Sequence, residues 1–306
     1  MEIEGVHQGS TAAPVTVVLP TIGRPQLLEA CLGSLEACVP IADDILVVDS
    51  SDDHAVADVV TAHVGARARR IHCSTRGLGY AFNLGLHEAK HEVVLLTNDD
   101  CTVEQSWVGR GLHHVTKHAD AIITGRVRPV GDPEVVPSTI DDPLRREYEA
   151  PDFVLFTQCM ALRRSDVLGF GGFDGRITPS AEDNDLSYRW LRAGRPIHYE
   201  PDFVAWHHDW RTREQLERLY LSYGVGQGMV YGKQLRSGDL LIARYLVSDA
   251  VSIARGLAAR IVRGRGEHAD PRLGLLRGLP IGLARGWRVG SESAPAPNAL
   301  LASERD

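Results

Sequence analysis

EVVLLTNDDCTV, Glu92 to Val103, is the stretch on which the reading of this chain turns. Val93 to Leu96 are four consecutive apolar residues, the pattern of a strand buried on both faces, and they run directly into Asn98-Asp99-Asp100. In open α/β sheets the ends of strands are where ligands sit. Two adjacent carboxylates at such an edge repel each other unless a cation or a hydrogen-bonding ligand offsets the repulsion, so a divalent metal with a phosphate ligand is a natural occupant. The competing reading is a polar turn that merely ends the strand, since Asn and Asp are ordinary turn formers. The flanking sequence has to decide between them.

Toward the N-terminus the pattern repeats. Val15 to Leu19 reads as a strand, Pro20-Thr21-Ile22-Gly23-Arg24-Pro25 breaks it, and Leu27, Leu28, Cys31, Leu32 and Leu35 recur at helical spacing. Ile45 to Val48 is a second strand that ends in Asp49-Ser50-Ser51-Asp52-Asp53, with Ala55, Val56, Val59 and Val60 as the following helical face. A third unit has the strand Arg70 to Cys73, a turn from Thr75 to Gly79 and a helix from Tyr80 to Ala89. Alternation at this pace predicts an α/β fold with a Rossmann-like, doubly wound, mostly parallel sheet whose carboxyl-end loops carry Arg24, Asp49 and Asp100. The turn RGLGYAF begins like a dinucleotide fingerprint, but Phe82 occupies the third glycine position and the turn lies in the third unit, so a dehydrogenase is rejected. A helix N-terminus facing an anionic ligand is the better use of that loop.

Toward the C-terminus the alternation stops at Asp120. Ala121 to Gly125 reads as a strand, GDPEVVPSTIDDP (131–143) as a mobile loop, and Phe153 to Leu162 as a strand ending in Arg163-Arg164. In GGFDGRITPSAEDNDLSYRWLRAG (171–194), Ser180 is placed to cap a helix with Asp183 three residues on, and Leu186, Trp190 and Leu191 form its apolar face. Glu182, Asp183 and Asp185 then complement the helix dipole, or one of them is a catalytic carboxylate. The strand Phe203 to Trp206 delivers His207-His208-Asp209, a candidate metal-ligand pair, although a lone His is more often structural. Glu214 to Lys233 and Leu240 to Val262 read as helices; the second mixes Leu, Ile and Val with Arg244, Arg255 and Arg260, so packing on the domain competes with adsorption to an anionic membrane.

The 306 residues, 43% hydrophobic and 24% charged, suit one large or two small globular domains. A net charge of -7 argues against nucleic acid as a partner, although the sequence turns basic and Gly/Arg-rich after about Arg255. Five scattered cysteines without a CxxC pair read as buried thiols of a reduced cytosol, and no signal peptide or membrane span is visible. The organisation expected is a flexible arm (1–13), a catalytic domain (14–212) with a nucleotide-binding half (14–119) and an acceptor-binding half (120–212), a C-terminal helical region (213–288) and a disordered tail (289–306).

VVLPTIGR, ILVVDSSDD, RGLGYAFNLG, LLTNDD, GGFDGR, EDNDLSYRWLRAG and AWHH, in this order, make the chain resemble the family 2 inverting glycosyltransferases of the A-type fold over about residues 14 to 212. The resemblance implies a hexosyl or deoxyhexosyl transfer from a nucleotide-diphosphate sugar to an acceptor hydroxyl by single displacement. It implies that Pro20, Thr21 and Arg24 line the nucleotide pocket, that Asp49 accepts from the base, and that Asn83, Asn98 and Asp99 contact the donor. Phe82 stands where the family has Arg, and Asn98 where it has the first Asp of D-x-D. Asp100 and His207 would hold Mn²⁺ or Mg²⁺, with His208 in reserve; Asp183 would be the base, and Glu182 and Asp185 would lie on the acceptor side. The acceptor class expected is a saccharide, a lipid-linked saccharide or a small metabolite, in a cytoplasmic protein that lies on the inner membrane face if the basic helices adsorb there; the sequence leaves room for an oligomer. The alternatives are a sugar-1-phosphate nucleotidyltransferase, for which PTIGRP offers only one Gly and one Arg, and a non-catalytic nucleotide-sugar-binding module.

Overall fold

The computed structural model describes residues 12–290 except 53, 64–66, 132–135, 209 and 263–270. Its centre is one nine-stranded sheet. In chain order the strands are β1 (Ala13–Thr21), β2 (Ala42–Asp49), β3 (Ala68–His72), β4 (Val93–Leu96), β5 (Cys101–Val103), β6 (Ile122–Val130), β7 (Arg146–Tyr148), β8 (Met160–Arg163) and β9 (Ile197–His208). They lie in the order β3-β2-β1-β4-β8-β6-β9-β5, with β7 also on β9. β1, β2, β3, β4, β6 and β9 run one way and β5, β7 and β8 the other, so the sheet is mostly parallel. The order β3-β2-β1-β4 is the first half of a doubly wound sheet, which then continues past the reversed β8 without a break.

The continuous apolar strands are explained by cover on both faces. Val17 and Leu19 of β1, Ile45 and Val47 of β2 and Leu95 of β4 point to one side, where α1 (Pro25–Glu36), α2 (Ala55–Ala62) and α4 (Trp107–Lys117) pack. Val18, Leu46, Val48, Val94 and Leu96 point to the other, toward α3 (Leu78–Glu88), α5 (Arg164–Gly169) and α6 (Glu182–Arg192). Each Val or Leu buried in this way stabilises the fold by about 1.5–3 kcal/mol. All five cysteines are buried thiols outside any disulfide.

Several boundaries differ from the sequence reading. β1 starts at Ala13, inside the expected arm, because Ala13 donates to Ile41 O at 2.8 Å and joins the sheet edge. The expected strand 153–162 shrinks to β8 behind a 3₁₀ turn at Thr157–Cys159, and the strand at 121–125 extends as β6 to Val130. Ser180 does not cap α6. Its hydroxyl donates instead to Ser222 O at 3.0 Å, and the cap position falls to Ala181, with φ 72° and no side-chain cap bond. Most of the arm (1–11), part of the 131–143 loop and most of the tail (291–306) lie outside the described residues.

The C-terminal region is three helices, α7 (Arg213–Arg236), α8 (Leu241–Val262) and α9 (Pro271–Val289). α7 starts on a capping box in which Thr212 accepts from Gln215 N–H and the Gln215 side chain accepts from Thr212 N–H. α9, in the Gly/Arg-rich stretch, packs on α7 through glycines spaced four apart. A Cβ on Gly224, Gly228 or Gly232 would fall within 2.2–2.4 Å of a backbone oxygen of α9, and one on Gly278, Gly282 or Gly286 within 2.0–2.4 Å of one of α7. Small residues at this spacing bring two helix backbones into direct contact.

Candidate active site

β4 ends at Leu96, and Asn98 to Asp100 form the turn into β5, which lies antiparallel to β9 with Cys101 opposite His207. His208 N–H donates to Asp100 O at 2.9 Å in the same ladder. Strand register thus brings the Asp100 and His207 side chains together, with Nε2 3.5 Å from Oδ2. The neighbouring His208 faces the other way, its Nε2 2.8 Å from Thr102 Oγ1, because successive side chains alternate across a strand.

Around the same Asp100 oxygen stand three further donors. Trp210 Nε1 lies 2.9 Å away, and Arg24 Nη1 and Arg211 Nη2 lie 3.3 Å away each. Burial alone would push the Asp100 carboxyl up, but hydrogen bonding and charge from His207, with Arg24 and Arg211, overcome it and hold the group well below the usual carboxylate range. Asp99 is pushed the other way, by burial and by the Asp100 charge, against the pull of Arg24 and Thr21. Its Oδ2 accepts from Thr21 Oγ1 at 2.7 Å and Arg24 Nε at 3.0 Å. Arg24 and Arg211 also lie over the Trp210 ring, at 4.9 and 4.2 Å from its centre. Sequence reading gave no role to Trp210 or Arg211; their position directly behind the AWHHD run was the available signal.

Asp100, His207 and Asn98 open onto a cavity of about 470 Å³ that is also lined by Glu182, Asp183 and Asn184 at the start of α6. The acidic residues at the start of α6 divide by position. Asp183 is half-buried on the cavity wall and is pushed up to about 6, chiefly by burial. Glu182 is pushed up as well, by burial and then by Asp183. Asp185 does not line the cavity: it is fully buried behind the helix, where Arg189 Nε donates to it at 2.7 Å and Lys233 Nζ at 2.7 Å. These partners outweigh burial and lower its pKa. The expected acceptor-side role is thus corrected for Asp185, which joins α6 to α7.

The remaining cavity wall is mixed. Phe153, Phe156 and Leu275 are apolar, Tyr223 comes from α7, and Gln158 and Gln227 are polar. Asn98 Oδ1, Gln158 Oε1 and Gln227 Nε2 are buried amide atoms without a hydrogen-bond partner, an arrangement that favours a ligand rich in hydroxyls.

The expected nucleotide residues lie along the rim formed by β1 and β2. Pro20 and Thr21 sit opposite Val48 and Asp49 in the ladder. Asp49 is fully buried and accepts from Arg70 Nε at 2.7 Å and Ser51 N–H at 2.9 Å, so Arg70 already takes part of the capacity that a base would use. Asn83, expected at the donor, bonds Phe173 here: its amide donates to Phe173 O at 2.8 Å and accepts from Phe173 N–H at 2.9 Å. Phe82 beside it stacks on the Phe173 ring at 5.2 Å, which explains an apolar residue there.

The donor set at Asp100 fits a divalent cation. A carboxylate oxygen and an imidazole nitrogen 3.5 Å apart are closer than the sum of two metal–ligand bonds of about 2.1 Å, and the unpartnered Asn98 Oδ1 lines the same cavity. Two guanidinium groups now face that carboxylate, as positive charge drawn to the same place.

Comparison with known proteins comes to the same place. The model of the family described as Glycosyl transferase family 2 matches residues 16–169. Two Mycobacterium tuberculosis proteins named pre-mycofactocin glycosyltransferase are 27% identical over 277 residues, covering 84% of this chain. The chain spans 58% of the length of those relatives. Among solved structures, S. aureus TarS 1-349 in complex with UDP-GlcNAc matches with a TM-score of 0.54 at 16% identity, over 72% of this chain and 66% of that one. A further crystal structure of S. aureus TarS matches with a TM-score of 0.51 at 16% identity, over 73% and 43%.

Proposed function

From the premise that this chain belongs to glycosyl transferase family 2, we propose that it moves a sugar from a nucleotide-diphosphate donor to an acceptor hydroxyl by a single inverting displacement. The observation that carries the reading is the shared cavity, which Asn98, Asp100, His207 and Asp183 all line. Asp183 would take the proton of the acceptor hydroxyl as it attacks. A carboxyl raised to about 6 is ionised at neutral pH and still a stronger base than a free Asp. The cation that Asp100 and His207 would hold supplies a Lewis acid for the charge that grows on the leaving diphosphate. The chain's own part on the donor side is positional. Asp99 fixes Thr21 and Arg24, and Arg24 and Arg211 bring positive charge to the rim where a diphosphate would lie.

The acceptor would enter from the α7 side, past Tyr223, Gln227 and the apolar Leu219 and Leu275. An acceptor of the kind for which the Mycobacterium tuberculosis relatives are named is the first to try, and UDP-GlcNAc is one donor among the UDP, GDP and dTDP sugars to screen.

Contact with a membrane surface belongs to the same proposal. No described helix is long and apolar enough to cross a membrane. α9 nevertheless exposes Leu276, Ile281 and Trp287 at 44, 44 and 51% beside the exposed Arg277 and Arg285, the mixture that favours an anionic lipid interface.

The test is a donor and acceptor panel with Mn²⁺ or Mg²⁺, read by product mass and by the configuration at the new anomeric carbon. Asp183→Asn should lose about 10²–10⁴-fold in turnover while keeping the thermal shift given by donor. Full turnover in that variant, or retention of configuration, would falsify this assignment.

A further inference from the structure

Apart from the cavity lies a second cluster of metal-ligating side chains. His114 and His118 are four residues apart at the end of α4, one above the other on a helix face. His198 and Glu200 alternate along β9 and so share a face. A bulge follows, since Gly125 pairs with Glu200 but Arg126 pairs with Val204, and it carries Asp202 toward His114. None of these residues lines the active-site cavity.

Glu200 is fully buried, and Arg145 bonds only its Oε2. Its Oε1 has no hydrogen-bond partner, with His114 Nδ1 at 3.6 Å and His118 Nε2 at 3.7 Å, and both of those nitrogens are buried and unpartnered too. His114 Nε2 lies 2.7 Å from Asp202 Oδ1, which orients the ring and turns Nδ1 toward Glu200. The His118 and His198 rings stack at 3.9 Å. Three buried polar atoms thus face one another unbonded. Every one of these gaps is shorter than two zinc–ligand bonds, about 4 Å together.

We propose that Glu200, His118 and His198, whose ligand atoms lie within 4.8 Å of one another, hold a divalent transition-metal ion of the zinc class, with His114 on the second flank of the same carboxylate oxygen. Imidazole and carboxylate together suit zinc or cobalt better than magnesium or calcium. The ion would tie the end of α4 to the bulge of β9, five residues or more from His207, and would serve structure rather than transfer.

The experiment uses the full chain stripped with a chelator and titrated with Zn²⁺ and Co²⁺. Binding is read by calorimetry, metal content and the visible bands of Co²⁺. In the double variant Asp100→Asn/His207→Ala, which removes the proposed catalytic pair, one Zn²⁺ per chain should still bind and raise the melting temperature, and the replacements that follow are read in that background. His118→Ala should abolish the binding, and Asp202→Asn, which only orients His114, should weaken it by about 10–100-fold. His118 is 22% exposed on its side chain, so its replacement tests the site at little risk to the core. Folded wild-type chain that takes up no Zn²⁺, or Zn²⁺ held equally by His118→Ala, or lost with the Asp100/His207 pair, overturns the proposal.

Discussion

The two acidic pairs of the cavity are arranged in opposite ways. At Asp99-Asp100 the like charges are offset by Arg24, Arg211, Trp210 and His207, whereas Glu182 and Asp183 form no ion pair among the described residues. The consequence is legible in pH. A carboxyl raised in the folded state binds more protons folded than unfolded, so its penalty is absent below the free value of 4.5 and accumulates as pH climbs toward about 8. Glu182→Gln is therefore expected to melt higher than wild type at pH 8. The gap should open by up to about 1.4 kcal/mol per pH unit across that window and close below it, which urea denaturation at several pH values would check. Transfer itself should fall on acidification through the raised pKa of Asp183, near 6, in kcat as a function of pH. An acid limb at the free value near 3.8 would contradict the role given to Asp183.

Elements hold those residues in place by backbone contact more than by side-chain packing. Gly226 of α7 lies so close to Ser180 that a Cβ would sit 2.2 Å from its carbonyl oxygen, and Ser180 precedes the left-handed Ala181 that starts α6. Gly226→Ala should displace the start of α6 and lower kcat more than it lowers stability, seen by comparing turnover with the unfolding midpoint. Gly282→Leu, whose side chain would run into Val225 O of α7, should cost about 1–3 kcal/mol through overpacking, read from the unfolding midpoint. Removing Lys233, which bonds Asp174 and Asp185 at 2.7 Å each, should cost about 3 kcal/mol in the same assay, because both carboxylates are buried.

These elements also show what sequence reading reaches. The doubly wound half was legible because its strands are uninterrupted apolar runs with turn residues at their ends, and Asp100, His207 and Asp183, which line one cavity, each follow such a signal. Asp185 was misplaced because spacing on a helix does not say which face meets α7, and nothing local announces Phe173 as the partner of Asn83. α9 went unread as a separate helix since its glycines weaken helix propensity and act only through a neighbour. His114 and His118 carried a spacing that was overlooked, four apart on a helix, whereas their meeting with Glu200 depends on a bulge that local sequence does not reveal.

At the scale of the molecule, the sheet presents one edge to the cavity while α7, α8 and α9 roof it, with Tyr223, Asp249 and Leu275 each drawn from a different helix. If the outer face of α9 meets lipid, vesicles with anionic headgroups should shift Trp287 emission to the blue, and salt should reverse the effect, whereas neutral vesicles should do much less. Absence of any shift at low ionic strength would remove the membrane from the account. The glycine ladder between α7 and α9 adds a mechanical corollary. Two helices whose main chains touch cannot slide or tilt separately, so a push on the outer helix is felt on the ceiling above the sugar. Docking on a surface would then act as a lever on the acceptor doorway, changing the KM for acceptor while that for donor, seated on the far rim, stays where it was.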